Sequence, residues 1–497
     1  MKNLKQYILS IDQGTTGTRA ILYDKQGMAV QNVYLEFPQY FPKPGWVEHD
    51  PNEIWYSVYK SIQKVLDGVS PSAIAAIGIT NQRETTVLWD KETGSPVYNA
   101  IVWQCRRTSR RCDELKKRKG VEKLFREKTG LPIDAYFSAT KIEWILKNVP
   151  GALKKAQQGK LLFGTTDAWV LWKLTGGKVH ATDYTNASRT MVFNIKSLAW
   201  DKDLLKEFHI PESILPEVKQ SSGVFGHTVK TGNLPAGIPI AGIAGDQQAA
   251  LFGQTCFTPG DIKNTYGTGA FILLNTGTKR TISKHGLITT LACGKNGEPV
   301  YALEGAVFIA GAAIQWLRDG LRIIESAKET QAMALSLKNN EGVYFVPALV
   351  GLGAPYWDQD ARGVIVGITR GTTRKHLARA ALEAMAYQTK DVLMAMQKDS
   401  GLKVKGLKVD GGSAANDFLC QFQADILGVP IVRPQTIETT SLGAAYLAGL
   451  AVGYWKNTND IMKCWMKDKI FSPKMNRESS LQCYSGWQNA VNKTLSK

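Results

Sequence analysis

The sequence lacks the cysteine and histidine spacings of disulfide-stabilised or zinc-binding proteins. Its seven cysteines are an odd number without a Cys-x-x-Cys pair, and its six histidines include no His-Glu-x-x-His motif. Disulfide frameworks and zinc sites depend on such spacings. We therefore expect reduced thiols, as in a cytoplasmic enzyme, and no transition metal held by protein ligands.

Long apolar runs are also missing. A membrane-spanning helix needs about 18 uncharged apolar residues, and the best candidates, residues 305–317 and 442–455, are shorter and rich in Gly and Ala. The apolar run near the N-terminus reaches Asp12 after five residues, whereas the core of a signal peptide needs about 7–15. We expect buried helices, no membrane span and a cytoplasmic location.

Acidic residues are in the minority, with 43 Asp and Glu against 61 Lys and Arg and a formal net charge of +18. Such a balance suits nucleic acids, membranes or anionic small molecules. The densest cluster, residues 116–119, lies in a stretch with helical character that offers no interleaved aromatic side chains for base stacking. A solvated face is favoured over a polyanion site, and no nucleic-acid partner is expected.

Two well-known nucleotide-binding signatures are absent. No Gly-Lys pair is followed by Ser or Thr, which excludes a P-loop, and the glycine-rich loop, His-Arg-Asp and Asp-Phe-Gly set of protein kinases is missing. A nucleotide would need another phosphate-binding element.

Strand and helix patterns alternate along the chain, which indicates α/β domains with largely buried sheets. A length of 497 residues exceeds a single core and fits two or three domains. The predicted strands are 74–80, 85–89, 161–164, 342–347 and 406–409. The predicted helices are 53–66, 140–147, 167–174, 310–321, 375–397, 416–427 and 441–452.

A repeated β-hairpin is the strongest sign of internal organisation. Residues 8–22 and 262–274 each read as an apolar strand, a Gly/Thr turn and a second apolar strand. An offset of 253 residues superposes Gly14-Thr15 on Gly267-Thr268. Two similar domains, 1–253 and 254–497, are predicted, although a chance match of two Gly/Thr hairpins is the alternative.

The first hairpin turn carries groups that suit phosphate. Its backbone amides and the hydroxyls of Thr15 and Thr16 can donate to phosphate oxygens, and Arg19 on the return strand can add positive charge. Asp12, which closes the first strand, can hold hydrated Mg²⁺. A third glycine-rich turn at 409–416 could support a planar ligand, or it could simply begin a helix with Ser413 as its N-cap.

Five motifs and two longer stretches resemble the FGGY carbohydrate kinases of the actin-like ATPase superfamily, and within them the members that phosphorylate glycerol. The motifs are DQGTT (12–16), NQRETT (81–86), WQCRR (103–107), GDQQAA (245–250) and YGTG (266–269), and the stretches are 136–148 and 363–383. The resemblance runs from about residue 7 to about residue 456. It implies two actin-like, ribonuclease H-like α/β domains with a nucleotide and substrate cleft between them.

The resemblance also implies a polyol site in which Asp246 is the catalytic base. The implied substrate-binding residues are Arg83, Glu84, Trp103, Tyr136, Asp246, Gln247 and Phe271. Taken alone, Arg83 and Glu84 would read as a surface ion pair, Asp246 as a helix N-cap, and the aromatic residues as core.

The implied nucleotide site draws on both domains. Its residues are Thr15, Thr16, Gly17 and Arg19 in the first domain, Thr268, Gly311, Gln315, Gly412 and Asn416 in the second, and Asp12 for Mg²⁺ through water. Gly311 and Gln315 are four residues apart and would share one helix face, although a packing face explains that spacing equally well.

The implied reaction transfers the ATP γ-phosphoryl group to glycerol, giving sn-glycerol 3-phosphate and ADP, in a homodimer or homotetramer. The alternatives are a pentulose kinase of the same family and, less favoured, an actin-like chaperone-type ATPase. Inhibition by fructose 1,6-bisphosphate, known in bacterial relatives, is not expected, because residues 232–237 contain no arginine.

Overall fold

The computed structural model describes residues 6–496. The strands are β1 Tyr7–Gln13, β2 Gly17–Tyr23, β3 Ala29–Glu36, β4 Glu48–His49, β5 Ile74–Asn81, β6 Val87–Asp90, β7 Ala100–Ile101, β8 Leu161–Gly164, β9 Ala181–Asp183, β10 Phe193–Asn194, β11 Ala199–Trp200, β12 Glu217–Lys219, β13 Ser222–His227, β14 Pro239–Gly245, β15 Ile262–Tyr266, β16 Ala270–Gly277, β17 Ile288–Cys293, β18 Pro299–Val307, β19 Tyr344–Val346, β20 Val364–Val366, β21 Leu407–Gly411, β22 Ile431–Pro434 and β23 Lys467–Phe471.

The α-helices are α1 Pro51–Val65, α2 Ser109–Lys116, α3 Val121–Thr129, α4 Ser138–Asn148, α5 Ala152–Gln157, α6 Thr166–Leu174, α7 Tyr184–Ala187, α8 Lys202–Glu207, α9 Asp246–Gly253, α10 Gly311–Gln315, α11 Glu329–Leu335, α12 Arg374–Ser400, α13 Asp417–Leu427, α14 Thr439–Ala451, α15 Thr458–Cys464 and α16 Arg477–Thr494. Short 3₁₀ turns occupy Pro71–Ala73, Glu212–Ile214 and Gly412–Ala415, and a π-helical turn spans Trp316–Gly320.

The described chain forms two compact units. The first contains the residues through Phe257 together with Thr289–Tyr301 and Thr439–Trp465, and the second contains Thr258–Ile288, Ala302–Glu438 and the residues from Met466 onward. The two-domain α/β prediction is confirmed. The domain boundary predicted at 253/254 stays a prediction, since the units divide after Phe257 and the first unit regains two later segments.

The first unit is organised by a mixed sheet in the order β13-β14-β5-β1-β2-β3. β1, β5 and β14 run parallel to one another, and β2, β3 and β13 run antiparallel to their neighbours. Side chains alternate between the two faces, so Leu9 packs in the core beneath α1 while Ile8 packs in the core beneath α14. The carboxyl ends of the three parallel strands share one edge of the sheet.

Helix α14 lies unusually close to this sheet because small residues face each other. A Cβ atom on Gly78 of β5 would overlap the Ala444 carbonyl oxygen, and one on Gly242 of β14 would lie 2.5 Å from the Ala448 nitrogen. Gly253 of α9 and Gly443 of α14 approach one another in the same way. The absence of side chains at these positions therefore sets the helix-to-sheet distance.

The second unit repeats the same plan. Its strands follow the order β18-β16-β15-β21-β22-β23, in which β15, β21 and β22 are parallel. Helix α12 covers the core formed with β15, β16 and α13. It begins with a capping box between Thr373 and His376 and ends at Gly401, which adopts the left-handed conformation. Tyr266 and Gly411 are paired at the carboxyl ends of β15 and β21.

Both predicted hairpins are confirmed. Gly14 N donates to Gly17 O at 2.9 Å in the first, and Gly267 N donates to Gly269 O at 2.8 Å in the second. The helix predicted over 310–321 is α-helical only to Gln315 and continues as the π-helical turn. No helix within residues 6–496 is long and apolar enough to cross a membrane.

We expect Gly78→Ala to destabilise the first unit by about 1–3 kcal/mol, because the added methyl group overlaps the α14 backbone. Gly223→Ala in the same sheet is the matched control, since its nearest atom would be 4.0 Å from the new Cβ. Thermal unfolding followed by circular dichroism measures both. Equal melting temperatures for the two variants would contradict the packing argument.

Candidate functional site

Three loops of the first unit meet at the carboxyl edge of its sheet. Gln13 of β1 pairs in register with Asn81 of β5, and Asn81 pairs with Gly245 of β14. The residues that follow these strand ends are therefore neighbours in space: the turn at 14–16, the segment Gln82–Glu84 and Asp246 at the start of α9. The alignment of parallel strands thus brings together motifs that are far apart in the sequence.

Arg83 connects two of these loops. Its Nε lies 3.0 Å from Asp246 Oδ1, and its side chain is 2% exposed whereas that of Asp246 is 30% exposed. A further guanidinium nitrogen donates to Gln248 Oε1 at 3.2 Å. A Cβ on Gly245 would lie 2.8 Å from Arg83 Cγ and Cδ. Glycine at 245 therefore leaves room for Arg83 to reach a partly exposed carboxylate.

Asp246 is the first residue of α9, and the N-cap is Gly245. The alternative that Asp246 serves as a helix N-cap is therefore not what the structure shows. Its Oδ1 accepts from Gln247 N at 2.6 Å, and the preceding amide, Gly245 N, donates to Thr185 Oγ1 at 2.9 Å. Thr185 in turn donates to the buried Asp183. Burial raises the pKa of Asp183 above its usual value, although hydrogen bonds from Thr185 and Ser221 oppose the shift.

Glu84 is buried, not part of a surface ion pair. Its carboxylate is 3.9 Å from Arg83 but accepts from Arg189 Nε at 2.5 Å, and the Arg189 side chain is also fully buried. Its backbone has a φ of 60°, in the left-handed region that glutamate rarely adopts. Strain of this kind persists only where the surroundings impose it, and it concentrates at functional sites.

Trp103 and Tyr136 form a half-buried aromatic wall beside these groups. Their rings meet edge to face with centroids 5.5 Å apart. Trp103 Nε1 donates to Thr15 Oγ1 at 2.9 Å, so the wall is joined to the hairpin turn. Gln247, which follows Asp246, is 6% exposed.

The turn after β1 is anchored by Gln82, and Thr16 in this turn is exposed. Gln82 Nε2 donates to Gly14 O at 3.0 Å, while Thr16 is exposed and its hydroxyl contacts Tyr34 OH at 2.9 Å. Arg19 lies over the Tyr34 ring at 5.4 Å. Gly17 permits this packing, because a Cβ there would lie 2.6 Å from Leu35 O and 2.8 Å from the Tyr34 ring.

Asp12 is half-buried and stands opposite Arg19 in the ladder between β1 and β2. Within residues 6–496 there is no group of three or more His, Cys, Asp or Glu side chains that could hold a metal ion. Mg²⁺ needs no such cage, because it keeps several waters and takes one or two carboxylates. A single carboxylate at the base of the turn fits hydrated Mg²⁺.

In the second unit, the turn at 267–269 packs against the first turn of α10. Gly311 N donates to Gly267 O at 3.1 Å, and both Ala310 N and Ala312 N donate to Thr268 O. A Cβ on Gly311 would lie 2.5 Å from Gly267 O. Thr268 is exposed at the tip of the turn.

The other residues predicted in this unit are Gly412, Asn416, Gln315 and Phe271. Gly412 is exposed, and a Cβ there would have nothing within 4 Å. Asn416 caps α13 by accepting from Leu419 N at 3.0 Å and donates to Thr330 Oγ1 at 3.2 Å. Gln315 is exposed at the end of α10, and Phe271 is half-buried on β16.

Four supporting residues were not predicted from the sequence. Arg189 pairs with Glu84, Gln248 supports Arg83, Asp183 holds Thr185, and the buried Lys141 donates to the carbonyls of Glu84 and Tyr136. Lys141 lies in the stretch 136–148, in which the resemblance implies a role only for Tyr136. Arg189 carries no local signal, because its partner Glu84 lies 105 residues away along the chain.

Family models cover nearly the whole chain. Residues 7–253 match the N-terminal domain of the FGGY family of carbohydrate kinases, and residues 262–452 match its C-terminal domain.

Individual relatives are similar over their full lengths. The chain is 61% identical to glycerol kinase 2 of Thermotoga maritima over 492 residues, covering 99% of each chain. It is 60% identical to a glycerol kinase of Caldanaerobacter subterraneus, again covering 99% of each. Its structure resembles Plasmodium falciparum glycerol kinase with ADP, with a TM-score of 0.92 and 39% identity over 99% of this chain and 98% of that one. A xylulose kinase of Lactobacillus acidophilus is more distant, with a TM-score of 0.88 and 25% identity over 98% and 97%.

We expect Arg189→Met to destabilise the first unit by about 3–5 kcal/mol, because it leaves the buried Glu84 carboxylate without the guanidinium that it contacts. Arg110→Met is the control, since the Arg110–Glu114 pair is exposed on α2 and such pairs contribute only about 0.3–0.5 kcal/mol. Urea unfolding followed by tryptophan fluorescence compares them. If both variants lost equally little stability, the buried pair would have no structural role.

Proposed function

Because the chain belongs to the FGGY family of carbohydrate kinases, we propose that it transfers the γ-phosphoryl group of ATP to glycerol, giving sn-glycerol 3-phosphate and ADP. The observation that carries the proposal is the partly exposed Asp246 carboxylate, held by buried Arg83 beside an aromatic wall and a Gly/Thr turn. Full-length relatives about 60% identical bear the name glycerol kinase, which supports the choice of acceptor.

Glycerol presents three hydroxyls on a short carbon chain, and the proposed residues match both parts. Arg83 and Gln247 would donate to hydroxyl oxygens, while Glu84 and Asp246 would accept from hydroxyl protons. Trp103, Tyr136 and Phe271 would contact the carbon chain, and the Tyr136 phenol could also bond a hydroxyl. Such a mixture of apolar walls with a few fixed polar groups is typical of small-molecule sites.

Asp246 would act as general base. It would take the proton of a terminal glycerol hydroxyl as the oxygen attacks the γ-phosphorus in line with the leaving oxygen of ADP. Arg83 and the Gln247 amide, both bonded to Oδ1, would orient the carboxylate and leave Oδ2 for the hydroxyl. Positioning of this kind is most of what a phosphoryl-transfer enzyme contributes.

The phosphates would be bound by the two hairpin turns through Thr15, Thr16, Gly17, Arg19 and Thr268. Gly311, Gln315, Gly412 and Asn416 would accommodate the adenosine end and the neighbouring phosphates. Mg²⁺, attached through water to Asp12, would neutralise charge on the phosphate oxygens. We also expect a cytoplasmic location and a homodimer or homotetramer. Size-exclusion chromatography with light scattering would test the oligomeric state.

A substrate panel decides between glycerol and a pentulose. ADP release is measured with glycerol, D-xylulose, D-ribulose and no acceptor, each at saturating ATP. We expect the highest kcat/KM with glycerol. A higher value with either pentulose would replace glycerol by that sugar, and ADP release that no acceptor stimulates would favour an ATPase of the chaperone type.

We expect Asp246→Asn to lower kcat about 10²- to 10⁴-fold while ATP still binds, because the amide cannot accept the hydroxyl proton. Asp67→Asn, at an exposed position after α1, is the control with unchanged kcat. Coupled ADP detection gives kcat, and equilibrium dialysis gives ATP binding. A near-normal kcat in Asp246→Asn would remove this residue from the chemistry.

We expect Gly412→Ala to raise the KM for ATP about tenfold, with little change in melting temperature or in the KM for glycerol. The new methyl group would have open space in the protein itself and would intrude only on a bound adenosine. Gly371→Ala is the control, because its nearest atom is also distant, at 3.8 Å. An unchanged KM for ATP would place the adenosine elsewhere.

A further inference from the structure

Lys141 is a buried cation that the proposed chemistry does not use. It lies in the first turns of α4, its residue is fully buried, and its ammonium group has no acidic side chain at salt-bridge distance among the ion pairs of residues 6–496. Burial of an ammonium group is unfavourable, and the positive end of a helix adds to this cost. Such a group requires strong compensating contacts.

The contacts of Lys141 are with two backbone carbonyls. Nζ donates to Tyr136 O at 2.5 Å and to Glu84 O at 3.3 Å. These oxygens belong to two residues of the proposed polyol site, on segments more than 50 positions apart. Hydrogen bonds from a charged donor are stronger than neutral ones, so a single side chain fixes the spacing between the two segments.

The Glu84 carbonyl is unusually well supported. It also accepts from Ser138 Oγ at 3.1 Å and from Thr86 Oγ1 at 3.1 Å. Glu84 has a positive φ; its carbonyl accepts from Ser138 and Lys141 of α4, and its carboxylate accepts from Arg189. The Tyr136 carbonyl also accepts from the Lys141 ammonium group. Lys141 therefore affects the distance between the two residues more than the position of either one.

The charged surroundings of Lys141 are mixed. Burial lowers its pKa to about 8, opposed by the nearby Glu84, Cys105 and Asp134 and assisted by Arg106. Arg106 is itself paired with Asp134 at 2.6 Å, and Glu84 with Arg189. The neighbouring charges are thus largely compensated by each other, and desolvation is the largest cause of the shift.

We propose that Lys141 is a positioning residue for the acceptor: its ammonium group clamps the Glu84 and Tyr136 segments at the separation that binds the polyol. This rests on the proposed function, because Glu84 and Tyr136 are polyol contacts only there. Loss of the ammonium group loosens acceptor binding without touching the nucleotide or the Asp246 carboxylate. Protonated lysine donates three strong hydrogen bonds and neutral lysine fewer and weaker ones, so acceptor affinity falls as pH rises through about 8.

The experiment compares wild type, Lys141→Met and Ser138→Ala by steady-state kinetics with glycerol and ATP from pH 6.5 to 9.5. Methionine keeps the length of the side chain and removes the donors. We expect Lys141→Met to raise the KM for glycerol about 10- to 100-fold, with the KM for ATP unchanged and kcat lowered much less. Ser138→Ala removes one donor from Glu84 O alone and has a smaller effect.

The pH profile separates positioning from mere support of the fold. Wild-type KM for glycerol should rise above pH 8, whereas in Lys141→Met it should stay high and flat. Lys141→Gln provides the same comparison if the methionine variant does not fold, and Lys141→Arg, which keeps a charged donor, should recover part of the affinity. An unchanged KM for glycerol in the soluble variants, or an equal loss in kcat and in both KM values, would overturn the proposal.

A failure of the proposed function would look different. Wild type would then show no glycerol-dependent ADP release at any pH. A wild type that is active with glycerol, joined to a Lys141→Met variant with normal glycerol affinity, would refute the clamp and leave the proposed reaction standing.

Discussion

The register of three parallel strands is the constraint on which the first unit's site depends. Because β1, β5 and β14 end side by side, the turn after Gln13, the segment after Asn81 and the start of α9 have to meet. Neighbouring loops are then close enough for a single side chain, such as that of Arg83, to connect them. A slip of one residue in any of these strands would send Arg83 or Asp246 to the wrong face.

At the carboxyl edge of this sheet, most charged side chains are buried together with an oppositely charged partner. Arg83 is buried and contacts the carboxylate of Asp246. Arg189 is buried and contacts the carboxylate of Glu84. Asp246 alone remains partly exposed. The surrounding charges are fixed before any ligand arrives, so little reorganisation is needed during a reaction. Strain at Glu84 belongs to the same arrangement, since three donors hold its carbonyl in place.

The sequence was sufficient for the hairpins, most helices and the α/β class, because these depend on local periodicity and on turn glycines. Strand β8 has the predicted bounds, and α13 begins one residue later than predicted. The sequence could not predict the burial of Arg83 and Glu84, since a pair of adjacent opposite charges has the same sequence pattern on a surface and in a core. Arg189 could not be found either, because its partner lies 105 residues away. The predicted site residues themselves came from family resemblance, whereas their supporting contacts could be identified only in the folded structure.

The return of α14 to the first unit has a consequence for the order of biosynthesis. The sheet face that contains Ile8 and Ala241 is covered by Leu442, Ala445 and Ala448, which leave the ribosome long after the sheet strands do. The N-terminal half therefore emerges with one apolar face still uncovered, and a fragment ending near residue 257 would keep it so. Completion of the first unit has to wait until the segment Thr439–Trp465 has been translated.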